Sequence, residues 1–424
     1  MRKKLKKLFK DDLIQHTAIV FLGTTLAGVC SLLYHLVSVR LLTPEDYGTF
    51  NALISLIMFA PMAISPLGTA LPRFFTEYIT KKDFTTLVLV VLKLAKRLIA
   101  AGVVVFILFL FASSFLARFL KTKALYILAS GGVVAFSFFG LIFIPLFQSF
   151  QKFKIYSLIG FSSSFGKLLI GALLMSLGWG VLGGLSGFWF SHLVIILVSL
   201  CFIPDIFKKE MQHVDKDDYK RTDLMPIYKY FLPVSFAMFS FAILTTIDVI
   251  LVKHFFSPLD AGYYSIAQMV GKIALFLPSA LAVVILPKGT KAYVENIHSQ
   301  KLLYKSLFLG ASCCLIFIGI AFIFPELLLK VLTGKANPAS QELIGLFSVA
   351  MSFYALCWIV INFLLATHNL KFVLPLCIIA FSQALIIYFY HSSLLGVLWV
   401  LLFFSVITFL TNFFIAKQPK SYQA

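Results

Sequence analysis

Four ionisable residues stand where an aqueous chemistry would not place them. Lys167, His192, Asp248 and Lys272 each lie inside an apolar run long enough to cross a bilayer. A charge at the bilayer centre costs about 2.5–3.5 kcal/mol on insertion scales, so such groups face a protein interior or a wet cavity. Lys167 has Ser162, Ser163, Ser164 and Gly166 around it, a polar patch in an apolar stretch. Lys272 follows Gln268 by four residues, which puts both on one helical face. Two lysines inside spans can attract an anion, strongly in low dielectric and weakly once water enters. Pairing of Lys272 with Asp248 is the competing structural arrangement. Asp248 has the type for a coupling proton or cation, or for a salt bridge, and His192 for a proton relay or a packed hydrogen bond. Arg40 and Arg73, with His35, fall near the ends of apolar runs, where an arginine can meet an anion or snorkel to the interface.

Other chemistries fail on spacing. Gly160 to Lys167 imitates a phosphate loop, but five residues separate the glycines and Leu168 stands where Ser or Thr is needed. Asp215 and Asp217 resemble a transferase acid pair, but their polar segment is far too short to form a nucleotide-sugar domain. No His/Cys cluster has metal-ligand spacing, no Ser-His-Asp set can be assembled, and no cofactor or metal is expected. The chain is not read as an enzyme.

The elements that position these residues follow from composition. Of 424 residues, 60% are hydrophobic and 12% charged, against about 25% charged in a soluble domain. A helix needs about 20 apolar residues to span the bilayer core. Twelve such runs are expected, at 14–39, 47–71, 98–117, 124–149, 155–177, 180–203, 230–252, 262–287, 306–324, 343–367, 372–390 and 394–416. They lack the alternation of a membrane barrel, so the fold class is an all-α polytopic membrane protein. All six cysteines lie in apolar runs, which argues against a disulfide framework.

The net charge of +19 reads as topology rather than nucleic-acid binding. Of 36 Lys and Arg, 27 fall in loops on one side, 7 on the other, and Lys167 and Lys272 inside spans. The positive-inside rule then puts both termini in the cytoplasm, and the cytoplasmic (inner) membrane is the expected location. Arg2, Lys3, Lys4, Lys6, Lys7 and Lys10 precede the first span without a cleavage site, as in a retained anchor. Leu5, Leu8, Phe9 and Leu13 lie opposite them at helical spacing, which also suits a helix on an anionic leaflet.

An internal repeat organises the whole. Thr43-Pro44-Glu45-Asp46-Tyr47-Gly48-Thr49-Phe50 and Ser257-Pro258-Leu259-Asp260-Ala261-Gly262-Tyr263-Tyr264 share a hydroxyl, Pro, acid, Gly and aromatic at one offset. Leu71-Pro72-Arg73 matches Leu286-Pro287-Lys288, and Gly180-Val181-Leu182 matches Gly396-Val397-Leu398, at nearly the same offset. The hydroxyl and Pro should start a helix, the acid should sit in its positive first turn, and Gly should allow close packing. An N-lobe (1–205), a cytoplasmic linker (206–225) and a C-lobe (226–424) follow. Six spans per lobe give both the same orientation, so the repeat is a parallel one. Pro61, Pro66 and Pro278 interrupt the second span of each half, as kinks for lobe motion or as static bends.

From Ala18 through Arg40-Leu41-Leu42-Thr43-Pro44-Glu45-Asp46-Tyr47-Gly48 to Pro72-Arg73-Phe74, the chain resembles polysaccharide-biosynthesis flippases, the Wzx-like and polysaccharide-transporter members of the MOP superfamily. The sharp motif is confined to this region; span count, repeat and linker extend the likeness over the chain. The resemblance implies two six-helix lobes around a cavity and translocation of polyprenyl-diphosphate-linked oligosaccharide by alternating access. It also implies cationic cavity residues on the diphosphate, here Lys167, Lys272, Arg73 and Arg40, with membrane lipids and polysaccharide polymerase machinery as further partners. Asp248 and His192 are then the ion-coupling candidates. A MATE-like exporter of small molecules shares the implied fold but favours acids in its cavity. A membrane glycosyltransferase would show a larger extracytoplasmic loop than any here.

Overall fold

The computed structural model describes residues 12–202, 224–278, 299–367 and 369–417. The basic start of the chain, most of the linker and the Leu286-Pro287-Lys288 copy lie outside them. Among the described residues there is no strand. The helices are α1 (Asp12–Leu41), α2 (Pro44–Ile64), α3 (Leu67–Thr80), α4 (Phe84–Phe119), α5 (Ala124–Gly140), α6 (Phe143–Ser149), α7 (Phe153–Leu174) and α8 (Gly180–Phe202). They continue as α9 (Met225–Phe255), α10 (Pro258–Phe276), α11 (Ser299–Ile323), α12 (Pro325–Thr333), α13 (Pro338–Ala366), α14 (Val373–Phe389) and α15 (Leu394–Lys417).

Among the described residues, nine stretches are long and apolar enough to cross a membrane. One of them, Phe153–Phe202, contains both α7 and α8. A π-helical turn at Met175–Trp179 joins these two, and Gly178 (φ 88°) and Gly180 (φ 51°) reverse the backbone between them. Only glycine reaches such angles without strain. The span expected at 372–390 forms the helix Val373–Phe389, apolar but shorter.

Helix ends depart from the apolar runs because caps, not hydropathy, set them. The expected loop 72–97 is largely helical: α3 occupies its start, and Asp83 accepts a hydrogen bond from the Thr86 amide at 3.1 Å to launch α4. Pro66 stands at the break between α2 and α3. Three helices end on a left-handed residue that is not glycine, Lys82, Lys121 and Gln151. In each case the next amide bonds back five residues, Asp83 to Tyr78, Thr122 to Ala117 and Lys152 to Phe147. Gln151→Gly removes the Cβ penalty of that conformation. It is expected to raise stability by about 0.5–1 kcal/mol, and an unchanged or lower melting temperature would contradict this.

The chain divides into two compact units, Met1–Leu42 with Ala60–Leu232, and Thr43–Phe59 with Pro233–Ala424. In the first, α7 packs on α8 and α1, and α4 on α5. Close approach of α7 and α8 rests on glycine: a Cβ on Gly183 would lie 2.6 Å from the Met175 amide nitrogen, and one on Gly187 2.7 Å from the Lys167 carbonyl. The small-xxx-small spacing of Gly180/Gly184 and Gly183/Gly187 is the membrane-helix device for such contact. In the second unit, α10, α11 and α15 pack around α13, which buries Ile344, Phe347, Met351, Tyr354 and Ile359.

Candidate functional site

In the first unit, Lys167 is the centre of a three-helix cluster. Its ammonium donates to Ser31 Oγ at 3.0 Å and lies over two rings, Tyr34 and Phe188, at 5.1 Å from each centroid. Ser31 and Tyr34 come from one face of α1, Lys167 from α7 and Phe188 from α8. Tyr34 is wholly buried. Its ring fills the groove left by the glycines: a Cβ on Gly171 would meet Tyr34 Cε2 at 2.5 Å, and one on Gly187 would meet it at 3.2 Å. Its hydroxyl donates to the Gly184 carbonyl. His35 stands edge-on to Tyr34 at 5.7 Å. His192, one turn beyond Phe188, feels the charge of Lys167. Ring faces attract a cation, the more so where water is excluded, so the arrangement holds one positive charge inside an apolar bundle.

The second unit holds an acidic counterpart. Asp248 on α9 is fully buried and accepts from Tyr264 Oη at 3.0 Å and from Gln268 Nε2 at 3.1 Å to each oxygen. Gln268 Oε1 in turn accepts from Asn51 Nδ2 at 3.1 Å, which brings in α2. Lys272, half-buried and one turn beyond Gln268, acts on Asp248 through its charge. Beside this cluster, the buried Tyr354 hydroxyl donates to Gln383 Oε1 at 2.6 Å, and Gln383 Nε2 donates to the Leu244 carbonyl at 3.0 Å.

The two repeat loops meet within this unit. Thr43 Oγ1 accepts from the Asp46 amide at 3.2 Å, and Ser257 Oγ from the Asp260 amide at 3.1 Å, the same helix cap twice. A Cβ on Gly48 would lie 2.8 Å from the Gly262 amide nitrogen, and one on Gly262 would run into the Pro44 carbonyl. The motif's aromatic position in the second copy is Tyr264, the donor to Asp248.

The model of the family described as polysaccharide biosynthesis protein matches residues 13–292, more than half of the chain. The chain belongs to that family. No curated protein matches it. Among solved structures, the lipid II flippase MurJ in an inward closed conformation superposes with a TM-score of 0.71 at 15% identity, over 95% of this chain and 88% of that one. An inward-facing multidrug resistance MATE family transporter of the MOP superfamily gives 0.68 at 14%, over 91% and 94%. A MOP superfamily transporter from Pyrococcus furiosus, reported for the reverse polarity of its binding pocket, gives 0.60 at 13%, over 95% and 94%. At such identities the likeness establishes the fold. This family member is a multi-pass membrane protein, all-helical among the described residues, with the fold of these structural neighbours, which are themselves named as transporters and a flippase.

Placed on that fold, the expected site residues separate by unit. Lys167, His192, Arg40 and Arg73 belong to the first unit, and Asp248 and Lys272 to the second. Lys167 and His192 share one cluster, as do Asp248 and Lys272. Arg40 is exposed in the last turn of α1. Arg73 is exposed on α3, one turn before Glu77. The Lys81 ammonium, 2.7 Å from Glu77, and then the charge of Arg73 hold the Glu77 carboxyl below the usual carboxylate range. Sequence reasoning missed Ser31, Tyr34 and Phe188 around Lys167, and Asn51 and Tyr264 around Asp248. Tyr264 had a signal, as the aromatic of the repeated motif. The glycines at 171, 183, 184 and 187 marked a groove for a large ring, but not which ring.

Proposed function

We propose that this protein is a flippase that carries polyprenyl-diphosphate-linked oligosaccharide across the cytoplasmic membrane for surface polysaccharide synthesis. The observation that carries the reading is Lys167, a cation lodged among apolar helices in a chain of the polysaccharide biosynthesis family. A diphosphate supplies the anion that such a group would bind, while the polyprenyl tail stays in lipid. The name of the lipid II flippase MurJ, a structural neighbour, speaks for the same cargo class.

In this reading six-helix lobes at 1–205 and 226–424 flank the linker, related by the parallel repeat, and both termini are cytoplasmic. Lys167 and Lys272 each present a cation to the diphosphate, and Arg40 and Arg73 assist near span ends. Asp248 and His192 couple transport to an ion gradient, the cargo site is exposed alternately to the two sides, and polymerase machinery receives the glycan outside.

Lipid mass spectrometry after depletion of the protein tests this. A polyprenyl-diphosphate oligosaccharide should accumulate several-fold as the matching surface glycan falls. An unchanged lipid-linked pool, in a host with no second flippase, would leave the small-molecule exporter as the better reading.

A further inference from the structure

We infer that Tyr34 is the positioning residue of the cationic site, fixing where the Lys167 ammonium can stand. The inference rests on the diphosphate reading for its purpose, but its geometry is independent of it. Lys167 carries a flexible stem that could place its charge at many depths. Three features remove that freedom. The Tyr34 ring and the Phe188 ring each lie 5.1 Å from the ammonium, and Ser31, one turn earlier on the same face of α1, accepts its hydrogen bond at 3.0 Å.

Tyr34 itself has almost no freedom. The backbones at Gly171 and Gly187 leave no room for a Cβ beside its ring, its hydroxyl is tied to the Gly184 carbonyl, and Phe188 meets it edge-on at 5.6 Å. A side chain this constrained is pre-organised, so the cation it holds does not lose further freedom when an anion arrives. The ammonium spends one of its three donors on Ser31. The rings attract the cation without supplying a competing anion, so the charge is held but not neutralised.

Two measurements on the full chain in nanodiscs test the assignment. In the first, lysines are reductively methylated with 13C and the Lys167 resonance is identified by its loss in Lys167→Arg. Ring currents should shift it upfield; Tyr34→Phe should keep the shift and Tyr34→Leu should abolish at least half of it, the Phe188 ring alone remaining. In the second, farnesyl diphosphate binding is titrated. Tyr34→Leu should weaken it about tenfold, Tyr34→Phe little, and Tyr34→Leu should add nothing in a Lys167→Ala background. Melting curves restrict the comparison to folded protein, and if Tyr34→Leu does not fold, Tyr34→Met and Phe188→Leu take its place.

An unshifted Lys167 resonance, or one unmoved by loss of the ring, would overturn the assignment. Additive losses in the double variant would overturn it too, since a purely structural tyrosine acts apart from the lysine. Absence of farnesyl diphosphate binding to the wild type, with the ring-current pattern intact, would instead remove the diphosphate reading and leave the positioning role standing.

Discussion

Gly262→Ala is expected to lower the stability of the protein by about 1–3 kcal/mol, the range for over-packing a close contact. The reason is geometric. The added methyl would run into the Pro44 carbonyl, with Pro44 Cα only 3.1 Å away. Backbone cannot rotate aside as a side chain can, so α2 and α10 would have to separate. Gly48→Ala meets the same obstacle from the other side, 2.8 Å from the Gly262 amide nitrogen and 2.9 Å from its Cα. Separation would also strain the Asn51–Gln268 hydrogen bond at 3.1 Å and, through Gln268, the bonding of Asp248. Both variants should therefore melt earlier and give less monodisperse protein in detergent. Gly28→Ala is the matched control, because a Cβ there meets nothing within 4 Å and alanine favours the helix by about 1 kcal/mol. Melting temperatures of both motif variants equal to that of the wild type would show that the two loops do not pack as described.

The contrast between Gly48 and Tyr34 shows where sequence reasoning reaches. Gly48 was legible because its whole environment recurs: the same hydroxyl, proline, acid and aromatic stand around Gly262, and the cap and the close approach follow from local chemistry. Lys167 was legible because a charge in an apolar run is anomalous wherever it occurs. Tyr34 is neither repeated nor anomalous. Its role arises because α1 crosses the α7–α8 glycine groove at that level, and a contact between residues so far apart in the chain leaves no local trace. Helix ends depart from span ends for a related reason. Hydropathy reports what lies in lipid, whereas Asp83 and the left-handed Lys82, Lys121 and Gln151 decide where helices stop.

The repeat expected from the sequence pairs the two clusters position by position. At the offset of the loop motif, Tyr34 corresponds to Asp248, and at the offset of the Gly180 and Gly396 motifs, Lys167 corresponds to Gln383. Equivalent stations thus hold a ring and a cation in one unit and a carboxylate and an amide in the other. Tyr34 is tied to the Gly184 carbonyl and Gln383 to the Leu244 carbonyl. The second station therefore presents a buried carboxylate, held by hydrogen bonds from Tyr264 and Gln268, where the first presents a cation.

On the flippase proposal, Lys167 is the more consequential of the two lysines in transport. Lys167→Ala removes a charged donor whose hydrogen bond to a phosphate oxygen is worth about 1.5–3 kcal/mol, so transport of the lipid-linked glycan should fall about ten- to hundredfold. Lys272→Ala should have a smaller effect on cargo and a larger one on Asp248, since the charge that acts on that carboxylate is lost. Neither change leaves a buried charge newly desolvated in the first unit, because Ser31, Tyr34 and Phe188 are neutral. Folded yield and melting temperature for Lys167→Ala should therefore stay near those of the wild type. Lys167→Arg keeps a cation that can stack on the same rings and should retain part of the activity, whereas Lys167→Met, similar in bulk but neutral, should not. Flux is read in proteoliposomes loaded with lipid-linked oligosaccharide, normalised to protein by immunoblot. Wild-type flux in both alanine variants at wild-type abundance would show that neither lysine holds the cargo. Loss in Lys167→Met with recovery in Lys167→Arg would tie transport to the charge at that station rather than to its packing.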